Sequence, residues 1–173
     1  TLRHCFTHTS GLDGHGLFNG VHNPWLENTL FQTIKNKTAG TRYNYNGMGH
    51  DLAGKVMEVV SGKSVFRLFY EYLYEPLGME NTYHTWDLGY SVHSTAYDLS
   101  LLAQMVLNKG SYGGKQYFSE ETYEKILPKD LKHYFPNITY FNDWDRGRPI
   151  GIGTTIQEWK VKDEETGEDR YML

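Results

Sequence analysis

Apolar positions recur at helical spacing in the middle of the chain: Met48, Leu52, Ala53, Val56, Val59 and Val60 share one face until Gly62 ends the run. This predicts an amphipathic helix beginning at Met48. Ser64 stands where it can cap a second helix, whose Val65, Leu68, Phe69, Tyr72 and Leu73 form an aromatic-rich face closed by Pro76 and Gly78. Thr95 with Asp98 three residues later has the form of a capping box for a helix over Leu99 to Leu107, closed by Lys109-Gly110. Ser119 caps a further helix to about Leu127, before Pro128. At the start, Leu2, Cys5 and Phe6 fall on one helical face, with Gly11 placed to cap its end. Residues 10 to 28 are rich in Gly, Asn and His and read as an irregular loop. A short helical stretch follows over about Thr29 to Asn36, then a second loop from Lys37 to Gly47. Strand signals are fewer. Ser111 to Phe118, centred on Gly113-Gly114, reads as a hairpin, and Ile150 to Val161 is strand-like, with Asp163 to Asp169 turning into a second strand.

Composition narrows the class without choosing a function. At 173 residues, with 39% hydrophobic and 22% charged positions, the chain has the material for one folded domain. A formal charge of −4 without runs of like charge gives no electrostatic footprint for nucleic acid or an acidic membrane. No apolar run approaches the length of a bilayer span, and no signal-peptide pattern is present. The one cysteine, Cys5, excludes a disulfide within the chain. Thr1 opens directly in a helix-like stretch and Arg170 to Leu173 reads as a strand without a following turn. The chain is therefore expected to be the central piece of a larger protein.

Five segments, in order, resemble serine β-lactamase-like hydrolases, the group of class C β-lactamases, D-Ala-D-Ala carboxypeptidases and related esterases. TLRHCFTHTSGL at Thr1 to Leu12 resembles the group's RHLLTHTSGL, and Gly49 to Ser64 is similar to the helix after its tyrosine motif. EPLGM at Glu75 to Met79, HSTAYDL at His93 to Leu99 and IGIG from Ile150 resemble EPLGM, STAxDL and YGLGW. The implied fold is α+β, of the β-lactamase/penicillin-binding-protein type, dominated by the helical subdomain with a C-terminal β-hairpin. Residues 1–173 would form part of that domain: about 1–147 mostly helical, about 148–173 the start of the antiparallel sheet.

The chemistry implied by the resemblance needs three elements to converge. A Ser-x-x-Lys supplies a nucleophilic serine and an amine one helical turn away, a Tyr-x-Asn supplies a phenol as proton relay and a substrate-binding amide, and a Lys-Thr-Gly or His-x-Gly strand completes the site. Counting back from Gly54 in RYNYNGMGHDLAG places the catalytic tyrosine at Tyr45, with Asn46 in the variable position and Gly47 where the substrate-binding asparagine is usual. The lost amide leaves the role absent, or filled by Asn46 or Asn44, or unnecessary for this substrate. A register starting at Tyr43 restores no Tyr-x-Asn either. No serine in the chain has a lysine three residues later, and Lys37-Thr38-Ala39 precedes the tyrosine motif, where a Lys-Thr-Gly does not belong. The nucleophile is expected upstream of Thr1 and the third motif downstream of Leu173.

The resemblance thus implies the central part of a serine hydrolase acting through an acyl-enzyme on an ester, amide or D-amino-acid peptide, inactive alone. β-Lactam hydrolysis itself is the least favoured of these reactions. The alternative is a non-catalytic binding module on the same scaffold. A small-molecule or peptidoglycan-like substrate is expected, with no nucleic acid, no membrane span, no cofactor and a periplasmic or secreted location. A helical layer parted from its sheet would expose apolar surface and self-associate. His4 and His8 have the spacing of two zinc ligands on a helix, but no glutamate follows His4 and no third ligand is evident, so no metal is expected. His8 is expected to bond across the helix end near the Tyr45 loop. His15 and His22 read as solvated loop histidines, and Tyr70, Tyr72, Tyr74 and Tyr83 as packing residues. Trp25 and Trp86 flank loops that rim the mouth in this fold, and Asp143 to Arg146 reads as a solvated loop without calcium-ligand spacing.

Overall fold

The computed structural model describes residues 1–12, 20–24, 26, 28, 30–31, 37–140, 149–152, 159–162, 166–167 and 169–172. Helix α1 (Leu2–Phe6) is short because Thr7 leaves helical geometry and His8 takes a left-handed φ of 55°. Gly11 therefore does not cap it, although it too has a positive φ. Strand β1 (Arg42–Tyr43) leads into α2 (Met48–Ser61), which ends at left-handed Gly62, whose N–H bonds the Glu58 carbonyl. The first turns of α2 pack as the apolar spacing predicts: Met48 clusters with Leu12, Leu26, Leu30 and Leu52, and Ala53 is buried. The last turns do not, because Val59 and Val60 are 83% and 82% exposed.

Helix α3 (Val65–Phe69) begins with the Val65 N–H on Glu58 Oε1 at 3.1 Å, and no capping bond comes from the Ser64 side chain. It continues through a π-turn over Tyr70–Tyr74 into α4 (Glu75–Leu77), closed by Gly78 at φ 75°. Pro76 thus lies within the helical run and does not end it; it falls in the first turn after the wide turn, where its missing N–H leaves little to break. Strands β2 (Tyr83–His84) and β3 (Val92–His93) pair antiparallel and frame the loop that lies against α2.

Helix α5 (Ala96–Leu107) has its N-terminus capped by Thr95, which accepts the Asp98 N–H at 3.2 Å. Asp98 turns its carboxylate onto Asn81 N and Thr82 Oγ1 instead of back onto Thr95 N. Strands β4 (Ser111–Tyr112) and β5 (Lys115–Gln116) form the expected hairpin, its turn made by Gly113 and Gly114, both at positive φ. Helix α6 (Glu120–Ile126) follows its Ser119 cap. The core of this half joins Tyr74, Leu77 and Met79 to Leu101 and Met105.

Strand β6 (Lys129–Asp130), helix α7 (Leu131–Tyr134) and β7 (Thr139–Tyr140) come next; β7 pairs parallel with β1, and β8 (Pro149–Ile150) pairs with β6. These bridges surround Tyr43, Leu131, Ile138 and Ile150. Strands β9 (Trp159–Lys162) and β10 (Asp169–Met172) make the C-terminal antiparallel hairpin. The segments 153–158 and 163–165 of the expected strand and turn lie outside the described residues, as does most of the helical stretch over 29 to 36.

Candidate active site

The segment between β1 and α2 is held from below by His8. The left-handed turn at His8 aims its carbonyl at Asn44 N, 2.9 Å away, and its ring at the backbone of Asn46. Nδ1 lies 2.9 Å from the Asn46 carbonyl oxygen and 3.3 Å from Asn46 N; the shorter contact places the hydrogen on Nδ1, donating to the carbonyl. Burial, reinforced by nearby His50, pushes the imidazolium down to about 4, so the ring is neutral at physiological pH. The expected bond across the helix end is present.

Above His8 stands Tyr45, its ring centroid 4.5 Å from the imidazole and the residue 71% exposed. Tyr43, the alternative in the other register, is 2% exposed within the core and out of reach of a substrate. Asn46 turns inward. Its Nδ2 donates to the Leu12 carbonyl at 3.1 Å and the Asn44 carbonyl at 2.9 Å, tying the loop to the TLRHCFTHTSGL segment. Both amide hydrogens are thereby committed, and Oδ1 is buried without a partner. Asn44 is half-buried and bonded through both backbone groups. Gly47 is the N-cap of α2, its carbonyl accepting from His50 N and Asp51 N at 3.0 and 3.2 Å.

Two glycines make the packing here. A Cβ on Gly49 would lie 3.0 Å from the Cys5 carbonyl carbon and closer still to its oxygen, so the missing side chain lets α1 rest directly on α2. A Cβ on Gly89 would come within 3.4 Å of Gly47 Cα and 3.8 Å of His50 Nδ1, which shows how closely the loop between β2 and β3 approaches the α2 N-terminus. That loop presents exposed Trp86 and Tyr90.

Three groups here were not foreseen from sequence. Asp51 and Asp87 are both fully buried, and His50 Nδ1 is buried without a partner. Asp51 Oδ2 accepts Gly20 N at 2.9 Å and Oδ1 accepts Leu88 N at 3.0 Å. Burial dominates and raises its carboxyl to about 6, opposed by those two amides and reinforced by Asp87. A first-turn aspartate reads as a helix-dipole partner, and its true donors lie 31 and 37 residues away, so no local signal marks it.

His4 and His8 do not share a helix face. His4 stacks on Phe135 at 4.9 Å, while His8 lies under Tyr45. Among the described residues, no group of three or more His, Cys, Asp or Glu is placed to hold a metal ion, and no helix is long and apolar enough to cross a membrane. Tyr74 is buried, whereas Tyr70, Tyr72 and Tyr83 are exposed. Trp25, His15 and the segment 143–146 lie outside the described residues.

The Beta-lactamase family model matches residues 1–116. The chain belongs to the beta-lactamase family. Among solved structures of that fold, it is similar to a candidate beta-lactamase from Bacteroides dorei, with 25% identity and a TM-score of 0.68 over 96% of this chain and 55% of that one. The beta-lactamase/D-alanine carboxypeptidase from Yersinia pestis is 18% identical, with a TM-score of 0.61 over 92% of this chain and 53% of that one. An unguisins hydrolase from Aspergillus violaceofuscus is 26% identical over 90 residues, 48% of this chain and 16% of that protein. The chain thus spans about half the length of these solved structures and a smaller share of the fungal hydrolase. The α+β fold and the hydrolase family expected from the five segments are borne out.

Proposed function

We propose that this chain is the central part of a serine hydrolase that acts through an acyl-enzyme on an ester, amide or D-amino-acid peptide, with Tyr45 as its proton relay. The observation that supports this reading is the contrast at the β1–α2 junction: Tyr43 is spent on the core, while Tyr45 is held at the surface above a neutral histidine. A phenol in that place can take the serine proton and return it to the leaving group once a Ser-x-x-Lys is brought beside it. The substrate amide usual at the third motif position is absent at Gly47, and the Asn46 amide hydrogens are engaged by Leu12 and Asn44. Substrate contacts in this reading come from backbone near Gly47 and from Asn44. Fluorophosphonate labelling of the protein carrying a Ser-x-x-Lys segment tests the proposal: labelling that falls at least about a hundredfold in Tyr45→Phe supports it, and unchanged labelling rejects Tyr45.

The Gly47 departure also favours a second reading, a binding module without catalysis. Failure of the unsubstituted protein to react with either fluorophosphonate or β-lactam, together with retained ligand binding, would select it.

A further inference from the structure

Asp51 and Asp87 are two carboxyls at zero exposure in a protein where, among the described residues, neither is paired with a lysine or arginine. Three of their four backbone donors, Leu88, Gly89 and Tyr90, are successive amides of one loop, and the fourth is Gly20 N. Leu88 N and Gly20 N donate to Asp51, while Gly89 N and Tyr90 N donate to Asp87 Oδ1, the latter at 3.0 Å. Asp87 Oδ2 is buried and receives no donor. Asp51 Oδ1 holds the amide of Leu88, the residue after Asp87, which brings the two buried carboxyls together, yet two ionised carboxylates are both acceptors and cannot bond each other. A proton kept on Asp51 resolves the conflict, because a neutral carboxyl can donate where an ionised one cannot.

We propose that Asp51 and Asp87 are a proton-sharing pair that positions the 86–91 loop against Gly47, so that the loop is held to the α2 N-terminus in acid and relaxes when the shared proton leaves. The pair is a positioning device and touches no substrate. Its action does not depend on the reaction proposed above, because the loop and the α2 N-terminus are joined by these carboxyls whatever Tyr45 does. Ionising the second carboxyl places two negative charges in one buried space, and the clasp between α2 and the loop is then weakened. Other titratable groups face the pair. His50 on α2 and His84 on β2 both feel Asp87, and His8 packs beyond His50 at a centroid distance of 5.1 Å. Burial holds all three histidines below their ordinary range, and His8, down to about 4, is neutral where the pair loses its proton.

The test reads the loop directly. Amide exchange of Leu88, Gly89 and Tyr90 in the whole chain, corrected for intrinsic rates, is expected to be about tenfold or more slower at pH 4.5 than at pH 7.5. Asp87→Asn keeps the acceptor for Gly89 and Tyr90 and offers a permanent donor to Asp51, so its loop is expected to be protected at both pH values. His50→Asn is expected to keep the wild-type step. Flat protection in the wild type, an unchanged step in Asp87→Asn, or loss of the step in His50→Asn would each overturn the proposal. If Asp87→Asn does not fold, carboxyl carbon titration of the wild type decides. The Asp51 carboxyl is expected to titrate above the ordinary carboxylate value, and a titration of Asp51 at that ordinary value would overturn it.

Discussion

Tyr43 and Tyr45 stand two residues apart in opposite environments, Tyr43 at 2% exposure against Leu131, Ile138 and Ile150, Tyr45 at 71% over the His8 ring. Their substitutions should therefore separate stability from chemistry. Tyr43→Ala empties a core position and is expected to cost roughly 3–5 kcal/mol in urea denaturation. Tyr45→Ala is expected to stay within about 0.5 kcal/mol of the wild type. In the protein that carries the nucleophile, only Tyr45→Ala should abolish acylation while the fold persists. A Tyr45→Ala protein as unstable as Tyr43→Ala would contradict the geometry.

The close seat of α1 on α2 makes Gly49→Ala costly despite the better helix propensity of alanine. Propensity favours alanine by about 1 kcal/mol, but the new methyl meets the Cys5 backbone, which cannot move as a side-chain tip would. Overpacking of this kind costs roughly 1–3 kcal/mol or more, so net destabilisation is expected. Cys5 is the reporter: burial raises its thiol above the ordinary range and shields it. Disulfide-exchange labelling of Cys5 should be slow in the wild type and faster in Gly49→Ala, and equal rates would mean that the helices do not meet at this glycine.

Much of this arrangement was legible where the cause is local. Met48 to Gly62, the Gly113-Gly114 turn and the Ser119 cap each depend on residues within one or two turns, and all three form as their patterns predict. The Tyr45 loop was legible only through the resemblance, since RYNYNGMGH has no periodicity of its own. Two-residue strands such as β1 and β7 carry no alternation to detect, and their partners are nearly a hundred positions apart. Pro76 misleads because a wide turn ahead of it removes the conflict that normally ends a helix. The outward Val59 and Val60 follow the helical spacing as well as Met48 does, so spacing alone could not tell which end of α2 is covered.

Asn46 fastens the Tyr45 loop through its side chain as well as through the backbone that His8 holds. Asn46→Ala removes both donors and leaves the Leu12 and Asn44 carbonyls without them, an expected cost of about 1–3 kcal/mol. Asn46→Asp should be worse than alanine above the carboxyl pKa, because a carboxylate faces two carbonyl oxygens there. Urea denaturation of both variants at pH 7 checks the order, and an aspartate variant more stable than the alanine one would show that the amide points the other way.

His8 and Asp51 pull the pH dependence of folding in opposite directions. His8 is held down to about 4 from 6.5, so the unfolded chain binds more protons between those values and His8 makes stability rise with pH through that window. Asp51 is raised from 3.8 to about 6, so the folded chain binds more protons and Asp51 makes stability fall as pH rises through nearly the same window. The two contributions therefore oppose each other across that window. The lowered His50 and His84 act in the same sense as His8, so the wild-type slope is expected to be upward. Asp51→Asn should steepen that slope, and His8→Asn should flatten or invert it. Asparagine is the apt replacement at His8 because it can donate to the Asn46 carbonyl from the Nδ1 position and tolerates the φ of 55°. Urea midpoints measured from pH 4 to 6.5 decide the matter: parallel slopes in the three proteins would show that neither group is buried in the charge state assigned to it here.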